Sequence, residues 1–500
     1  MSTVPVVIIG AGPTGLTAAT LLAQYGVECL LLDRWESVYL QPRAVHLDDE
    51  IYRVLVRMGV AEQFAAITRP CHGLRLLDRD MRVLAEFRRG TATGRHGYPE
   101  ANMFDQPVLE AILRANLERY KTVTLRGNIE VTDVVQEATG RVSVEVTDRI
   151  TGREESILAE YVLGCDGANS LTRTAIGAHL QDLHLEQRWL VVDVDTDADL
   201  AEWEGVHQLC DPHRAGTYMR VGPTRYRWEF RLRPEESVDD FRDTARLHPL
   251  IAPWTKGIPL DRLRLVRVAE YTFRARLADR WRDRRVFLLG DAAHLTPPFI
   301  GQGMGAGMRD AANLAWKLAG VLDGTLPERV LDTYQAERKP HARALIRLAT
   351  FVGMAMTEGG EMGNLLRRLV APRLRLVPGV SRLVLSSETP ALRDCELVVR
   401  PRLRRSLAGR LCPNAVLEDG RRFDEVAGGR FAVVTSTALA ATQRDGIERR
   451  GGHVITAQAG DQLHHWLRRG RARAAIVRPD GTVLRAGRNL PALCAALPLH

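Results

Sequence analysis

Three groups of residues in this chain have types and spacings that can do chemistry, and each sits at the end of an apolar run. The first is Gly10-Ala11-Gly12-Pro13-Thr14-Gly15, reached from Val4-Pro5-Val6-Val7-Ile8-Ile9 and followed by Leu16, Ala19, Leu22 and Ala23 at helical spacing. Glycines spaced this way turn the chain tightly (Gly10), bring bare backbone against a pyrophosphate (Gly12) and let a helix pack close to its strand (Gly15). The amides at the start of that helix, opened by Pro13 and Thr14, then face the phosphate charge. Asp33 follows 18 residues after Gly15, at the end of a second strand. A carboxylate there can accept from ribose hydroxyls. The group identifies a dinucleotide but does not choose between FAD and NAD.

The other two groups are Asp166-Gly167-Ala168-Asn169-Ser170 and Gly290-Asp291-Ala292-Ala293-His294, each beginning where a buried strand ends. In open α/β sheets ligands lie at the carboxyl ends of strands. Taken singly, either aspartate reads almost as well as the cap of a turn; beside the first group, both point to the same ligand. Downstream, Thr296-Pro297-Pro298-Phe299-Ile300-Gly301-Gln302-Gly303-Met304-Gly305-Ala306-Gly307 is not a second fingerprint. A proline loop rather than a strand precedes it, and no acidic strand end follows. It offers bare backbone at a helix start, where a flat ring can approach amides and the positive end of the helix dipole.

The elements that must position these groups can be read from periodicity. A βαβ unit covers 4–33, with a break at Gly26. A helix is expected over 104–120, opened by Asp105 and Pro107, then an antiparallel meander over 123–160 and a buried strand at 161–164. Strands at 188–194, 216–221 and 226–232 imply a separate sheet layer. A buried strand at 285–289 leads through the proline loop into a helix over 303–322, and helical spacing continues through 331–356 and less regularly to about 385. From about 400 the composition changes, with Pro401, Gly409, Pro413, Gly420 and Gly428-Gly429 punctuating short strands at 431–435 and 474–477.

Composition narrows the classes. The 500 residues are 45% hydrophobic and 26% charged, which excludes a disordered or collagenous chain. No apolar run has the length of a membrane span, and the start runs directly into a strand without a basic leader, so a cytoplasmic location is expected. The net charge of +8 is spread evenly, and Lys121, Lys256, Lys317 and Lys339 are the only lysines, an arginine bias rather than a nucleic-acid patch. The seven cysteines are scattered and never spaced as CxxC, so neither metal, disulfide framework nor redox pair is expected.

Together these motifs resemble the class A flavoprotein aromatic hydroxylases, the group typified by p-hydroxybenzoate hydroxylase, and within it the 3-(3-hydroxyphenyl)propionate hydroxylase branch. The resemblance is carried by the first glycine group, Gln41-Pro42-Arg43-Ala44-Val45, Phe104-Asp105-Gln106-Pro107, Cys165-Asp166-Gly167 with Ser170 and Arg173, and the stretch from Gly290-Asp291 through Gly301-Gln302-Gly303-Met304 to Arg309-Asp310-Ala311. Weaker strings, Cys210-Asp211-Pro212 and Arg227-Trp228-Glu229-Phe230, carry the branch.

The resemblance implies an α/β fold: a Rossmann-like FAD-binding domain in two parts (1–180 and 281–395), an interleaved mixed or antiparallel sheet for substrate (181–280), and a thioredoxin-like C-terminal domain without CxxC (400–500). It implies that Gly10, Gly12, Pro13, Thr14, Gly15, Asp33 and Arg34 hold the ADP part of non-covalent FAD. Arg43 and Gln106 would serve the phosphate and ribityl region, Gly290 and Asp291 a ribityl hydroxyl, and Pro298, Gly301, Gln302, Gly303 and Met304 the ring. Asp166 would serve both FAD and a transient NADH or NADPH. The reaction would be O2-dependent hydroxylation of a small phenolic ring through a flavin C4a-hydroperoxide. Substrate would meet Tyr218, Arg220 and Trp228, with Pro297 in the loop between flavin and substrate.

His46 stands where relatives carry a small residue, which would aim it at the flavin or substrate; a surface or turn histidine is the plainer alternative. Among rivals on the same fold, a halogenase would need a WxWxIP segment and a catalytic lysine, neither of which occurs. A flavin reductase would lack the central sheet, and a non-catalytic flavin-binding protein would show no substrate-stimulated NAD(P)H oxidation. A homodimer is compatible with all of these readings.

Overall fold

The computed structural model describes residues 3–40, 43–89, 93–358, 360–374, 388–401 and 406–498. Gln41 and Pro42, and the expected helical stretch beyond 374, lie outside the described residues. Among the described residues four sheets organise the chain, the smallest made of His46–Asp48, Ala101–Met103 and Arg69–Pro70. The first has Val4–Ile9 at its centre, paired in parallel with Cys29–Leu32 on one side and Glu154–Gly164 on the other; Val123–Arg126 and Val286–Leu288 extend it outward, also in parallel. Val6, Val7, Ile8, Leu31, Val162 and Phe287 are fully buried, as strands covered on both faces must be. Chain order reverses between Val4–Ile9 and Glu154–Gly164, which places the switch-point crevice between Gly10 and Cys165. The meander Ile129–Gln136 and Val142–Asp148 hangs antiparallel from the long strand Glu154–Gly164.

The second sheet contains eight strands, with Leu180–Asp195 and Arg264–Ala278 as its longest pair, then Arg225–Arg231, Gly216–Arg220 and Val206–Leu209. Its far edge is made by Gly73–Leu77 and Val83–Arg88. Those two strands come from within the 1–180 segment, so this layer is built from two stretches of chain. Gly73 makes the edge pairing possible: its φ is 135°, and a Cβ would lie 2.0 Å from the Phe87 carbonyl oxygen.

The expected helix over 303–322 is present as Gly303–Leu322, and it packs against the first helix, Pro13–Gln24. Asp332–Thr357 follows, with Pro340 inside it. The C-terminal stretch forms a four-stranded sheet in the order His453–Thr456, Ala432–Thr435, Ala474–Val477, Val483–Gly487, with helices Ala441–Glu448, Gln462–Arg469 and Leu490–Cys494 in the connectivity βαβαββα. It is fastened to the first domain by polar contacts. Tyr25 Oη donates to the Gly429 carbonyl (3.0 Å), Arg57 to Pro479 O (2.7 Å) and Arg53 to Cys412 O (2.6 Å).

Candidate active site

At the switch point the three fingerprint glycines separate by cause. Gly10 has φ 103°, and a Cβ there would lie 2.4 Å from Cys165 O; a Cβ on Gly15 would lie 1.9 Å from Gly10 O. Both are glycine because the chain itself leaves no room. Gly12 differs: its backbone is extended (φ −77°, ψ 179°), and no atom of the chain comes within 4 Å of where its Cβ would be. Neither strain nor crowding explains a glycine there, whereas close approach of a group from outside the chain does. The helix behind it has Pro13 in its first turn, no acidic residue there and no side-chain cap, so its positive end is uncompensated.

Asp33 Oδ2 accepts from Ala11 N (2.6 Å) and Oδ1 from Trp35 N (2.8 Å), which ties the end of the second strand to the glycine turn. A carboxylate has lone pairs beyond these two, so Asp33 retains acceptor capacity for ribose. Arg34 is exposed, its carbonyl accepting from Arg149 (2.8 Å). Gln106 begins the helix Gln106–Leu117 and turns its Oε1 to the amides of Arg43 (3.2 Å) and Ala44 (2.7 Å). Its role in the chain is thus to hold the 43–45 strand-like segment, with the exposed Arg43 guanidinium over the Tyr39 ring.

Asp166 spends both oxygens locally: Oδ1 accepts from Ser170 Oγ (2.6 Å), and Oδ2 from Thr172 N (2.9 Å) and Thr172 Oγ1 (3.0 Å). The capping alternative describes its geometry, and its effect on a ligand passes through the loop it shapes. Arg173 links that loop to the next by donating to Ala168 O (2.9 Å) and Ala292 O (3.0 Å).

Asp291 contrasts with Asp166. No hydrogen bond reaches its carboxylate among the described residues; burial pushes its acidity toward weaker values, with His294 and Arg43 acting in the opposite direction. Its loop is anchored by Asp310, a residue quoted in the motif without a role. The fully buried Asp310 carboxylate accepts from Gly290 N (3.1 Å) and Arg338 Nε (2.8 Å) and lies 2.7 Å from His294 Nε2. Gly290 itself has φ 60°, and a Cβ there would press on Thr14, which joins this loop to the first helix.

The proline loop closes the site. Pro297 is buried and Pro298 exposed; Pro298–Ile300 form a single turn, and Gly301 at φ 63° reverses the chain into Gly303–Leu322. Gln302 does not cap that helix. Its side chain donates to Asp48 (2.9 Å) and accepts from Arg309 (3.0 Å), while Arg309 also bonds Asp48 and lies 2.9 Å from Glu50. This buried network fixes the loop and leaves the helix's first amides, at Gly303 and the half-buried Met304, without a capping side chain.

His46 belongs to the short strand His46–Asp48 and meets Gly301, with Nδ1 3.4 Å from its carbonyl oxygen. A Cβ on Gly301 would sit 2.7 Å from that nitrogen. Burial first, and the charge of Arg89 second, hold its pKa down to about 4. It is therefore a neutral ring packed on the loop and not a surface histidine.

The substrate residues expected from sequence, Tyr218, Arg220 and Trp228, share one face of the second sheet, opposite the face that carries Arg227. Tyr218 and Trp228 are cross-strand partners on the outer face of the second sheet, packed with Tyr226, Phe230 and Trp254 in a closed apolar core. Arg220 lies over Tyr226 on the same face and pairs with Glu204 at 2.8 Å. Period-two alternation puts Arg225, Arg227, Glu229 and Arg231 on the opposite face. That face meets the cofactor-side loops: Arg227 donates to Arg43 O (2.9 Å), Arg225 lies 3.7 Å from Asp105, and Trp189, across from Arg231, stands edge-on to Phe299 at 5.9 Å.

The donor set fits a flavin dinucleotide: a glycine bare toward the outside, an uncapped helix start, a ribose acceptor and an unpartnered carboxylate. A family model described as FAD binding domain matches residues 3–349. The chain belongs to that family. It is 33% identical over 97% of its length, and over 92% of the relative's, to a probable NADH-specific resorcinol 4-hydroxylase of Rhodococcus jostii (strain RHA1). A 3-(3-hydroxy-phenyl)propionate/3-hydroxycinnamic acid hydroxylase of Mycolicibacterium gilvum (strain PYR-GCK) is 37% identical over 76% of this chain and 65% of that protein. In fold it is similar to the flavin-dependent monooxygenase PieE (24% identity, TM-score 0.81) and to aklavinone-11 hydroxylase (24%, 0.82), covering 99% of this chain and 98% of each. This FAD-binding family member is a flavoprotein aromatic hydroxylase, a monooxygenase that uses a nicotinamide reductant and acts on a phenolic ring. Among the described residues no helix is long and apolar enough to cross a membrane.

Proposed function

We propose that the substrate is a single aromatic ring bearing a hydroxyl and a second substituent meta to it, and that NADH is the reductant. Resorcinol and 3-(3-hydroxyphenyl)propionate, named for the two relatives, share that pattern. The observation that carries the reading is the polar face of the second sheet, where Arg227 reaches the 43–46 segment and Glu229 stands beside Arg227. A hydroxyl and a polar meta group need such partners; an extended polycyclic ring would prefer an apolar wall.

Within this reading Gly12 and the start of Pro13–Gln24 face the pyrophosphate, Asp33 the adenosine ribose, and Asp291 a ribityl hydroxyl. Gln106 acts through the backbone it holds, and the start of Gly303–Leu322 faces the pyrimidine edge of the ring. When bound, the flavin supplies hydride acceptance and dioxygen activation. The protein's own groups do the rest. The helix start offers uncapped amides to negative charge, the Asp48–Arg309–Gln302 network keeps them preorganised, and Phe299 on Trp189 and Phe273 shields the loop from water. We read 400–500 as a thioredoxin-like appendage without electron transfer, and assign the chain to a cytoplasmic homodimer, which fractionation and light scattering check.

The test is a panel of resorcinol, 3-(3-hydroxyphenyl)propionate, unsubstituted phenol and aklavinone, with NADH and NADPH consumption and product mass followed under 18O2. One labelled oxygen gained by the meta-substituted rings with NADH is expected. Preference for the polycyclic ring, or label arriving only from water, overturns the proposal.

A further inference from the structure

We propose that Glu229 is the base that takes the phenolic proton of the substrate, an assignment that rests on the meta-phenol reading above. Glu229 lies in the strand Arg225–Arg231 on the face turned to the cofactor-side loops, between Arg227, which donates to Arg43 O at 2.9 Å, and Arg231, whose cross-strand neighbour Trp189 touches Phe299. Along the strand it thus stands between the residue that reaches the 43–46 segment and the residue opposite Trp189. Its cross-strand neighbours Val191 and Thr217 are uncharged.

The charges around it are divided unequally. Arg227 gives both ends of its guanidinium to the fully buried Asp193, at 2.7 and 3.0 Å, while its distance to Glu229 is 3.8 Å. Asp193 thus satisfies the arginine, and no hydrogen bond reaches Glu229 among the described residues. A carboxylate in this position is held near a positive charge without being consumed by it. Burial raises its affinity for a proton; Arg227 and Arg267 oppose that and Asp193 reinforces it. On the same face Arg225 lies 3.7 Å from Asp105 and Arg231 pairs with Glu358 at 2.7 Å, while Tyr271 is pushed up by burial and by Asp291, so it stays protonated. Asp193 is committed to Arg227, His46 packs on Gly301, Asp105 lies beside Arg225 and Asp291 is given to the ribityl chain, which leaves Glu229 as the acceptor on the strand that faces the ring.

The step balances simply. The phenol O–H bond breaks, its electron pair stays on the ring oxygen, and the proton forms an O–H bond with a Glu229 carboxylate oxygen; it passes back to the product's oxygen on release. The ring gains electron density at the ortho and para carbons, where an electrophilic oxygen adds.

The FAD-loaded enzyme, its Glu229→Gln and its Glu229→Asp variants are titrated with 3-nitrophenol, a meta-substituted phenol whose phenolate has its own visible band. Wild type is expected to hold the probe ionised at pH 7. Glu229→Gln should hold it as the neutral phenol, with flavin content unchanged, and Glu229→Asp should retain part of the ionised band. In turnover, Glu229→Gln should lose about 100-fold or more in kcat/KM at pH 7, the scale of general-base catalysis, and recover as pH rises toward the substrate's own ionisation. An ionised band and pH profile in Glu229→Gln equal to wild type overturn the assignment alone. A wild-type enzyme that binds no meta-phenol overturns the substrate reading and this assignment with it.

Discussion

Arg478 and Glu337 face each other in a bidentate pair, Nη1 to Oε1 and Nη2 to Oε2, both at 2.9 Å and both fully buried. One belongs to the C-terminal unit and the other to the helix Asp332–Thr357. Lys317 joins at 3.1 Å, and Asp480 also bonds Arg478. Asp480 and Lys317 each pair within their own unit, and the Arg478–Glu337 bridge joins the two pairs across the interface.

Glu337→Ala is accordingly expected to destabilise the whole protein by about 3 to 5 kcal/mol, because it leaves the buried Lys317 ammonium without a carboxylate and takes from Arg478 its bidentate partner across the interface. A thermal melt checks this, as does truncation at residue 400, which should yield an insoluble or flavin-poor core. A truncated chain with native melting and full flavin content contradicts it.

The same pair makes an acid limit. Burial pushes the Glu337 carboxyl up, but Arg478 and Lys317 hold it at about 2, below its ordinary 4.5. A depressed carboxyl contributes stability that is present above its unfolded value and lost as pH falls through the folded one. Melting temperature should drop between roughly pH 4.5 and 2, and Glu337→Gln should flatten that part of the profile.

Gly12→Ala and Gly15→Ala should fail differently. A methyl on Gly15 strikes Gly10 O at 1.9 Å, so that variant should misfold or melt several degrees lower. A methyl on Gly12 meets nothing in the chain, so its apo-protein should melt as wild type while flavin affinity falls at least tenfold. Fluorescence titration with FAD separates the two; equal behaviour contradicts the division of roles.

Asp291→Ala should purify paler than wild type. Removing one charge-assisted hydrogen bond costs about 1.5 to 3 kcal/mol, equivalent to roughly 10- to 100-fold in FAD affinity. Full occupancy in the variant would remove Asp291 from the cofactor site.

His46, neutral with a pKa of about 4, should add no ionisation near pH 6.5 to the rate profile. His46→Asn should shift the flavin absorption through the Gly301 loop while leaving the profile's shape. A lost limb near pH 6.5 would instead make His46 a titrating catalyst.

Much of the cofactor half was legible because its constraints are local. The glycine turn, the strand-end carboxylates and the helix Gly303–Leu322 each follow from short-range geometry. The fate of Asp166 and Asp291 was not: both end buried strands, yet one is consumed by Ser170 and Thr172 while the other has no partner, and only the following turn decides. Which face of the second sheet looks toward the cofactor-side loops is not legible either, for a different reason. Alternation along 225–231 shows two faces but does not say which looks inward. The usual rule sends Tyr226 and Trp228 to the core and the arginines to water. Here both faces are covered, the aromatic one by Trp254 and its neighbours and the charged one by the cofactor-side loops. Residue type alone therefore does not tell the face of Tyr218, Arg220 and Trp228 from that of Arg227 and Glu229. Gly73–Leu77 and Val83–Arg88 pair with each other locally, but what joins them to the second sheet is the pairing of Gly73–Leu77 with Val206–Leu209, more than a hundred residues away.

The parallel pairing of Glu154–Gly164 with Val286–Leu288 sets an order of events for a chain made from its N-terminus. When Gly164 has left the ribosome, one edge of the nucleotide-binding sheet is exposed and stays so until residue 288 arrives. In that interval nearly all of the second sheet is synthesised, and it contains strands able to pair with any open edge. Asp310, which fastens the 290 loop, emerges later still. The newborn protein thus passes through a stage in which its nucleotide cradle is unfinished and its β-edges compete, so flavin can reward only the last correct pairing. Yield of soluble holoprotein should depend on synthesis speed and flavin supply more steeply than the stability of the finished fold would suggest.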